Sequence, residues 1–127
     1  MTRLREIYLC TVCGNVTEVL AKGNRTLSCC GKPMEKLKEK NLELGHEKHL
    51  PVVEKSSGGL NVRVGEAPHP MTEEHHIVFI EALTDEKVYR AELLLDSSPE
   101  AEFCTGRESI REVRAYCNLH GLWSREL

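Results

Sequence analysis

No apolar run in this 127-residue chain approaches the roughly 20 residues that a membrane-spanning helix requires. The opening Met1-Thr2-Arg3-Leu4-Arg5-Glu6 lacks the apolar centre of a secretory signal. Positive charge is not in excess either. With 17 Lys and Arg against 20 Asp and Glu, the net charge is −3 and the pI about 6.1. Such a balance leaves no electrostatic footprint for nucleic acid or an anionic membrane. Recognition helices, basic patches, internal repeats and low-complexity segments are missing too, so a metal- or redox-sensing adaptor finds no support. The expected location is the cytoplasm, where thiols stay reduced. There, six cysteines read as metal ligands in preference to disulfides.

Four of the six lie in the first 37 residues, as Cys10-Thr11-Val12-Cys13-Gly14 and Cys29-Cys30-Gly31. Between them, residues 16–20 alternate as a short strand does, and Gly23-Asn24 offers a hairpin turn. A segment this small cannot hold itself together with a core, and four converging thiolates supply the missing stability. The glycines after Cys13 and Cys30 are expected to let backbone N–H groups turn towards the sulfurs. Tetrahedral S4 geometry fits zinc and iron alike, so spacing does not choose between a structural knuckle and an electron-transfer centre. The adjacency of Cys29 and Cys30 predicts a distorted tetrahedron.

Residues 35–45 are charged and read as a linker. Strands are then expected at 51–55, 60–65, 76–83, 87–95, 101–104, 109–117 and 122–126, with turn signals between. Seven short strands at this spacing predict an antiparallel β-sandwich of immunoglobulin-like architecture. The chain is therefore mainly β, with a small metal-stapled domain in front of the sandwich.

Near the end stands Cys117-Asn118-Leu119-His120-Gly121, a thiol and an imidazole that share an ion if the backbone turns between them. Alone this pair is a weak signal. His49 begins the sandwich, His69 is held between Pro68 and Pro70, and His75 and His76 stand where that loop enters a strand. Alternation sends the last two to opposite faces, so only one reaches a given site. Four imidazoles and one thiolate leave an octahedral metal one position short. Closed structural zinc is four-coordinate, whereas an iron with an open position suits chemistry on a small molecule. A thiolate opposite that position donates electron density to whatever binds there. His46 reads as solvated, Cys104 as a buried strand thiol and Trp123 as core packing.

Cys10-x-x-Cys13 with Cys29-Cys30, Glu47-Lys48-His49, His69-Pro70-Met71 with His75, and Cys117-Asn118-Leu119-His120-Gly121 together resemble the desulfoferrodoxins, the two-iron superoxide reductases. The resemblance spans nearly the whole length. It implies a desulforedoxin-like domain over residues 1–37 with Cys10, Cys13, Cys29 and Cys30 around one iron. It implies a catalytic sandwich over 38–127 with His49, His69, His75 and His120 equatorial and Cys117 axial on a second. Both irons would be mononuclear and non-haem. By the same resemblance, Glu47 closes the sixth position of the ferric resting state, and Lys48 assists the anionic substrate, superoxide. A homodimer and a rubredoxin-like electron donor are implied as well. His76 departs from the family, which has an aromatic residue there.

In isolation Glu47 and Lys48 are ordinary surface charges, and only their place before a ligand histidine singles them out. The competing reading is a non-enzymatic electron carrier or structural metal module with one tetrathiolate metal and no superoxide chemistry.

Overall fold

The computed structural model describes residues 1–41 and 48–127. Its backbone falls into two compact units, Met1–Lys38 and Glu39–Leu127. Among the described residues no helix is long and apolar enough to cross a membrane.

In the first unit, β1 (Ile7–Leu9) lies between β2 (Val16–Glu18) and β5 (Glu35–Lys36), both antiparallel to it. A two-residue ladder of β3 (Ser28–Cys29) with β4 (Lys32–Pro33) stands apart. Two expectations change here. The turn at Gly23-Asn24 joins no hairpin, because Gly23 exchanges hydrogen bonds with Thr2 instead: Thr2 N donates to Gly23 O and Gly23 N to Thr2 Oγ1. The charged stretch from residue 35 is not all linker, since Glu35 and Lys36 complete the sheet and Lys36 pairs with Glu6 at 2.8 Å. Charge density misleads because a strand this short and exposed needs no apolar face.

The second unit is the expected sandwich. One sheet has the order β10-β7-β6, built from β6 (Pro51–Ser56), β7 (Gly59–Val64) and β10 (Glu100–Phe103). The other runs β12-β11-β8-β9, from β8 (Ile77–Leu83), β9 (Val88–Glu92), β11 (Glu112–Cys117) and β12 (Gly121–Glu126). Alternation puts Leu60, Val62 and Val64 of β7, Ile80 and Ala82 of β8, and Val113, Ala115 and Cys117 of β11 into one shared core. Each large aliphatic chain buried there contributes about 1.5–3 kcal/mol.

On the other face of the four-stranded sheet, Arg114 and Glu81 are cross-strand partners and both are buried. Arg114 Nη2 donates to Glu81 Oε1 at 2.6 Å, Arg90 Nε takes Oε2 at 2.9 Å, and Arg114 Nη1 reaches Glu39 at 3.1 Å. Removing one member of such a buried pair leaves an uncompensated charge, at a cost of about 3–5 kcal/mol. The Glu39 contact ties the beginning of the unit to this sheet. Cys104 is exposed, contrary to expectation. The strand ends at Phe103, and with Ala101 and Phe103 facing inward the next residue turns out.

Candidate metal centres

The two ends of β1 and β3 gather the first donor set. Cys10 follows β1, and the Cys10–Asn15 turn leads into β2, with Gly14 N donating to Cys10 O and Cys10 N to Asn15 O. Cys29 ends β3, and the turn to β4 passes through Cys30 and Gly31, both left-handed at φ 54° and 72°. That twist is what lets neighbouring cysteines serve one point, and Gly31 is the residue that adopts it without strain. Sulfur separations are 3.6 Å for Cys13–Cys29 and 3.9 Å for Cys29–Cys30. A tetrahedron with metal–sulfur bonds of about 2.3 Å has edges of about 3.8 Å, so the set is closed, four-coordinate and mildly uneven.

The Cys13 N–H reaches Cys10 Sγ at 3.5 Å and the Asn15 side-chain amide reaches Cys29 Sγ at 3.8 Å, while Gly14 spends its N–H on a carbonyl. This bond from Cys13 holds the Cys10 thiol down at about 6. Crowding by Cys13, Cys29 and Cys10 pushes Cys30 up to about 12. Four thiolates share this space only around a cation.

The second set is drawn from three loops and a strand end. His49 precedes β6, His69 lies in the loop after β7, His75 stands just before β8, and Cys117 is the last residue of β11. Alternation carries the Cys117 side chain inward, and a register shift between Tyr116 and Cys117 re-aims it at the sandwich's end. Gly65 brings the first two loops together. A side chain there would meet the Lys48 carbonyl at 2.6 Å and that of Ala67 at 2.8 Å, and its φ is +81°. Only glycine lets the 65–67 turn lie against the backbone that carries His49.

The four imidazoles close a ring. Centroid distances are 4.8 Å for His49–His69, 4.6 Å for His69–His75, 5.0 Å for His75–His120 and 4.7 Å for His120–His49. The His49–His75 diagonal is longer, at 6.3 Å. Four near-equal edges with a longer diagonal enclose a central space, and the donor atoms of His49, His69, His75 and Cys117 lie within 4.8 Å of one another around it. His49 Nε2 and His120 Nδ1 lie 3.1 Å apart at one edge, and Cys117 Sγ is 3.8 Å from His120 Nδ1. A square with that edge has its centre about 2.2 Å from each corner, close to an imidazole–metal bond.

Two buried atoms test the fit directly. His69 Nε2 and His75 Nε2 have no hydrogen-bond partner in the protein. Buried polar atoms are rarely left so, and an ion is what satisfies them. His69 Nδ1 is 2.7 Å from Pro70 O, which fixes the proton on Nδ1 and the lone pair on Nε2. Burial lowers His69 to about 4 and also lowers His75, so both stand as neutral donors at pH 7. Burial raises the Cys117 thiol, against the N–H groups of Leu119 and His120 and the charge of Lys40.

The expected residues therefore converge, with His120 exposed at the rim and His49, His69 and Cys117 buried. His76 turns away, its Nδ1 2.9 Å from Thr72 O. Lys48 is exposed beside His49. Glu47 and His46 lie outside the described residues.

Sequence reasoning missed three neighbours. Trp123 is buried as expected, yet it also stacks on His49 at 4.9 Å and 14°. Asn118 is more than a turn residue. Its Oδ1 accepts from His76 N at 2.8 Å, its Nδ2 donates to Glu74 O at 3.0 Å, and its backbone N donates to His76 O at 3.1 Å. Those bonds clasp the His75 loop to the Cys117–His120 turn. Lys40 donates to His120 O at 2.9 Å. An Asn inside a Cys-x-x-His turn was the one available signal; the other two contacts leave none.

Residues 2–37 match the family model described as the N-terminal domain of desulfoferrodoxin, and residues 41–126 match the one described as desulfoferrodoxin. A desulfoferrodoxin homolog of Methanothermobacter thermautotrophicus is 50% identical over 123 residues, covering 97% of this chain and 99% of that protein. A desulfoferrodoxin of Syntrophotalea carbinolica is 48% identical over 128 residues, covering 99% of each. Among solved structures, the superoxide reductase from Treponema pallidum superposes with a TM-score of 0.79 at 28% identity, over 95% of this chain and 97% of that one.

Proposed function

The chain belongs to the desulfoferrodoxin family, and from that premise we propose that it is a superoxide reductase, converting superoxide to hydrogen peroxide with one external electron and two protons. Its cofactors are two mononuclear non-haem irons, matched by the tetrathiolate set and by the four imidazoles with one thiolate. The observation that carries the reading is the ring of imidazoles with two buried, unpartnered Nε2 atoms. A non-enzymatic carrier explains the four thiols but leaves that ring without an occupant.

In this reading Cys10, Cys13, Cys29 and Cys30 hold the first iron in a domain of residues 1–37. His49, His69, His75 and His120, together with Cys117, would hold the second in residues 38–127. Iron bound there supplies one electron and a position open to a small anion. The protein's part is electrostatic and geometric. Neutral imidazoles leave a ferrous centre with one thiolate at a net charge of +1, which attracts an anion although the whole chain carries −3. Lys48, exposed beside His49, adds to that local field and orders the water that delivers protons. Cys117 would be the one anionic donor of that set, and its thiolate would supply electron density to a bound iron. Glu47 would offer a carboxylate to the oxidised iron. Each turnover consumes one external electron and releases no dioxygen.

Partner and location follow from the same reading. A small rubredoxin-like protein is the electron donor, the chain acts as a homodimer, and six free cysteines suit a reducing cytoplasm.

Iron and zinc content, with optical spectra before and after reduction, test the assignment. Two irons per chain are expected, and Cys117→Ser should abolish the ferric thiolate absorption of the second while sparing the first. A single tetrathiolate metal per chain would favour the carrier.

A further inference from the structure

Outside the donor atoms, the Lys40 ammonium is built into the surroundings of the second centre. Lys40 is not a free surface lysine. Its backbone N donates to Leu122 O and its O accepts from Ser124 N, both at 2.9 Å, making a parallel bridge with Trp123 at the edge of β12. With the backbone pinned, the side chain runs over the turn that carries His120. Its Nζ donates to His120 O at 2.9 Å, and Trp123 Nε1 donates to the same carbonyl at 3.1 Å. The ammonium also lies 5.3 Å from the centroid of the Trp123 indole, whose ring stacks on His49 at 4.9 Å. Gly121 lies beside the ammonium, and its φ of +87° lets the chain turn beneath it.

We propose that Lys40 is a positioning residue for the second iron: its ammonium fixes the His120 carbonyl and the Trp123 ring, and its charge biases the centre towards the reduced form. The inference rests on the reading that His49, His120 and Cys117 hold iron, and deepens it. One bond reaches His120 through its own carbonyl, and one cation–π contact reaches His49 through the indole. A fixed positive charge favours whichever oxidation state carries less positive charge, which here is ferrous. Lys48 acts on the incoming anion, whereas Lys40 acts on the ligands.

The test is a redox titration of the full-length iron-loaded protein and its Lys40→Met and Lys40→Arg variants, followed by the ferric absorption of each centre. Thermal melting of the metal-free proteins accompanies it. Lys40→Met keeps the length and the packing on Trp123 but removes the charge. It should lower the potential of the second centre, cutting its ferrous-to-ferric ratio at a fixed solution potential on the order of 3- to 10-fold for a solvent-screened unit charge. The tetrathiolate centre should not move. Lys40→Arg should stay close to the parent. An unchanged potential in Lys40→Met overturns the proposal, as does an equal fall in Lys40→Arg. A Cys117→Ser control separates the two levels. If the ferric thiolate band survives that substitution, the ligand reading fails and this inference with it. If the band is lost and Lys40→Met is still silent, the role of Lys40 alone is refuted.

Discussion

Asn118 offers the sharpest perturbation of the second centre that touches no donor atom. Asn118→Ala removes two side-chain hydrogen bonds, to His76 N at 2.8 Å and to Glu74 O at 3.0 Å, and leaves the backbone bond to His76 O in place. Each such bond is worth about 0.5–1.5 kcal/mol, and exposed ones lie at the lower end, so the clasp holds about 1–2 kcal/mol. That energy keeps the 72–76 turn, and His75 with it, against the Cys117–His120 turn before any metal arrives. Without it, part of the binding free energy must go into ordering the loop, and iron affinity at the second centre should fall about 5- to 30-fold. Asn118→Asp keeps the acceptor for His76 N but loses the donor to Glu74 O, and should lie between the two. Competition for ferrous iron with a coloured chelator measures this, with the tetrathiolate iron as internal reference. An Asn118→Ala protein that holds its second iron as tightly as the parent would refute the clasp. So would equal loss from both centres.

Three further substitutions follow from the geometry. His75→Ala should cost the second iron while His76→Ala keeps it, because His76 faces Thr72 O; equal losses in metal analysis would mean the ligand is misassigned. Cys13→Ser should remove the tetrathiolate iron and its absorption, while ferrous iron at the second site still reduces superoxide in a rapid-mixing assay. Lys48→Ala should slow the second-order reaction with superoxide about 10-fold and flatten its ionic-strength dependence. Glu47→Ala should leave that rate nearly unchanged and alter the ferric spectrum, and pulse radiolysis across a salt series would expose the reverse pattern.

The donors were legible because their chemistry is local. Cys10-x-x-Cys13, the proline-flanked His69 and Cys117-x-x-His120 each carry their own geometry, and turn signals at regular spacing mark out the seven sandwich strands. The supporting residues were not legible, since each acts across a long stretch of chain. Lys40 and His120 are 80 positions apart, and His76 and Asn118 are 42 apart. No periodicity relates such pairs; they meet only because the ends of β8, β11 and β12 share one end of the sandwich. The expectation of a buried strand thiol at Cys104 fails because the strand ends at Phe103 and the inward parity of Ala101 and Phe103 points the next residue outward. Residues 35 and 36 read as linker in the sequence because a two-residue edge strand has no hydrophobic pattern to display.

The central claim is that this protein reduces superoxide and does not dismutate it. The direct measurement is product stoichiometry after the fully reduced protein is mixed with less than one equivalent of superoxide, following hydrogen peroxide and dioxygen together. One peroxide for each superoxide, with no dioxygen and one oxidised second-site iron per event, is the expected result. Half a peroxide and half a dioxygen per superoxide, with the iron left reduced, would contradict it.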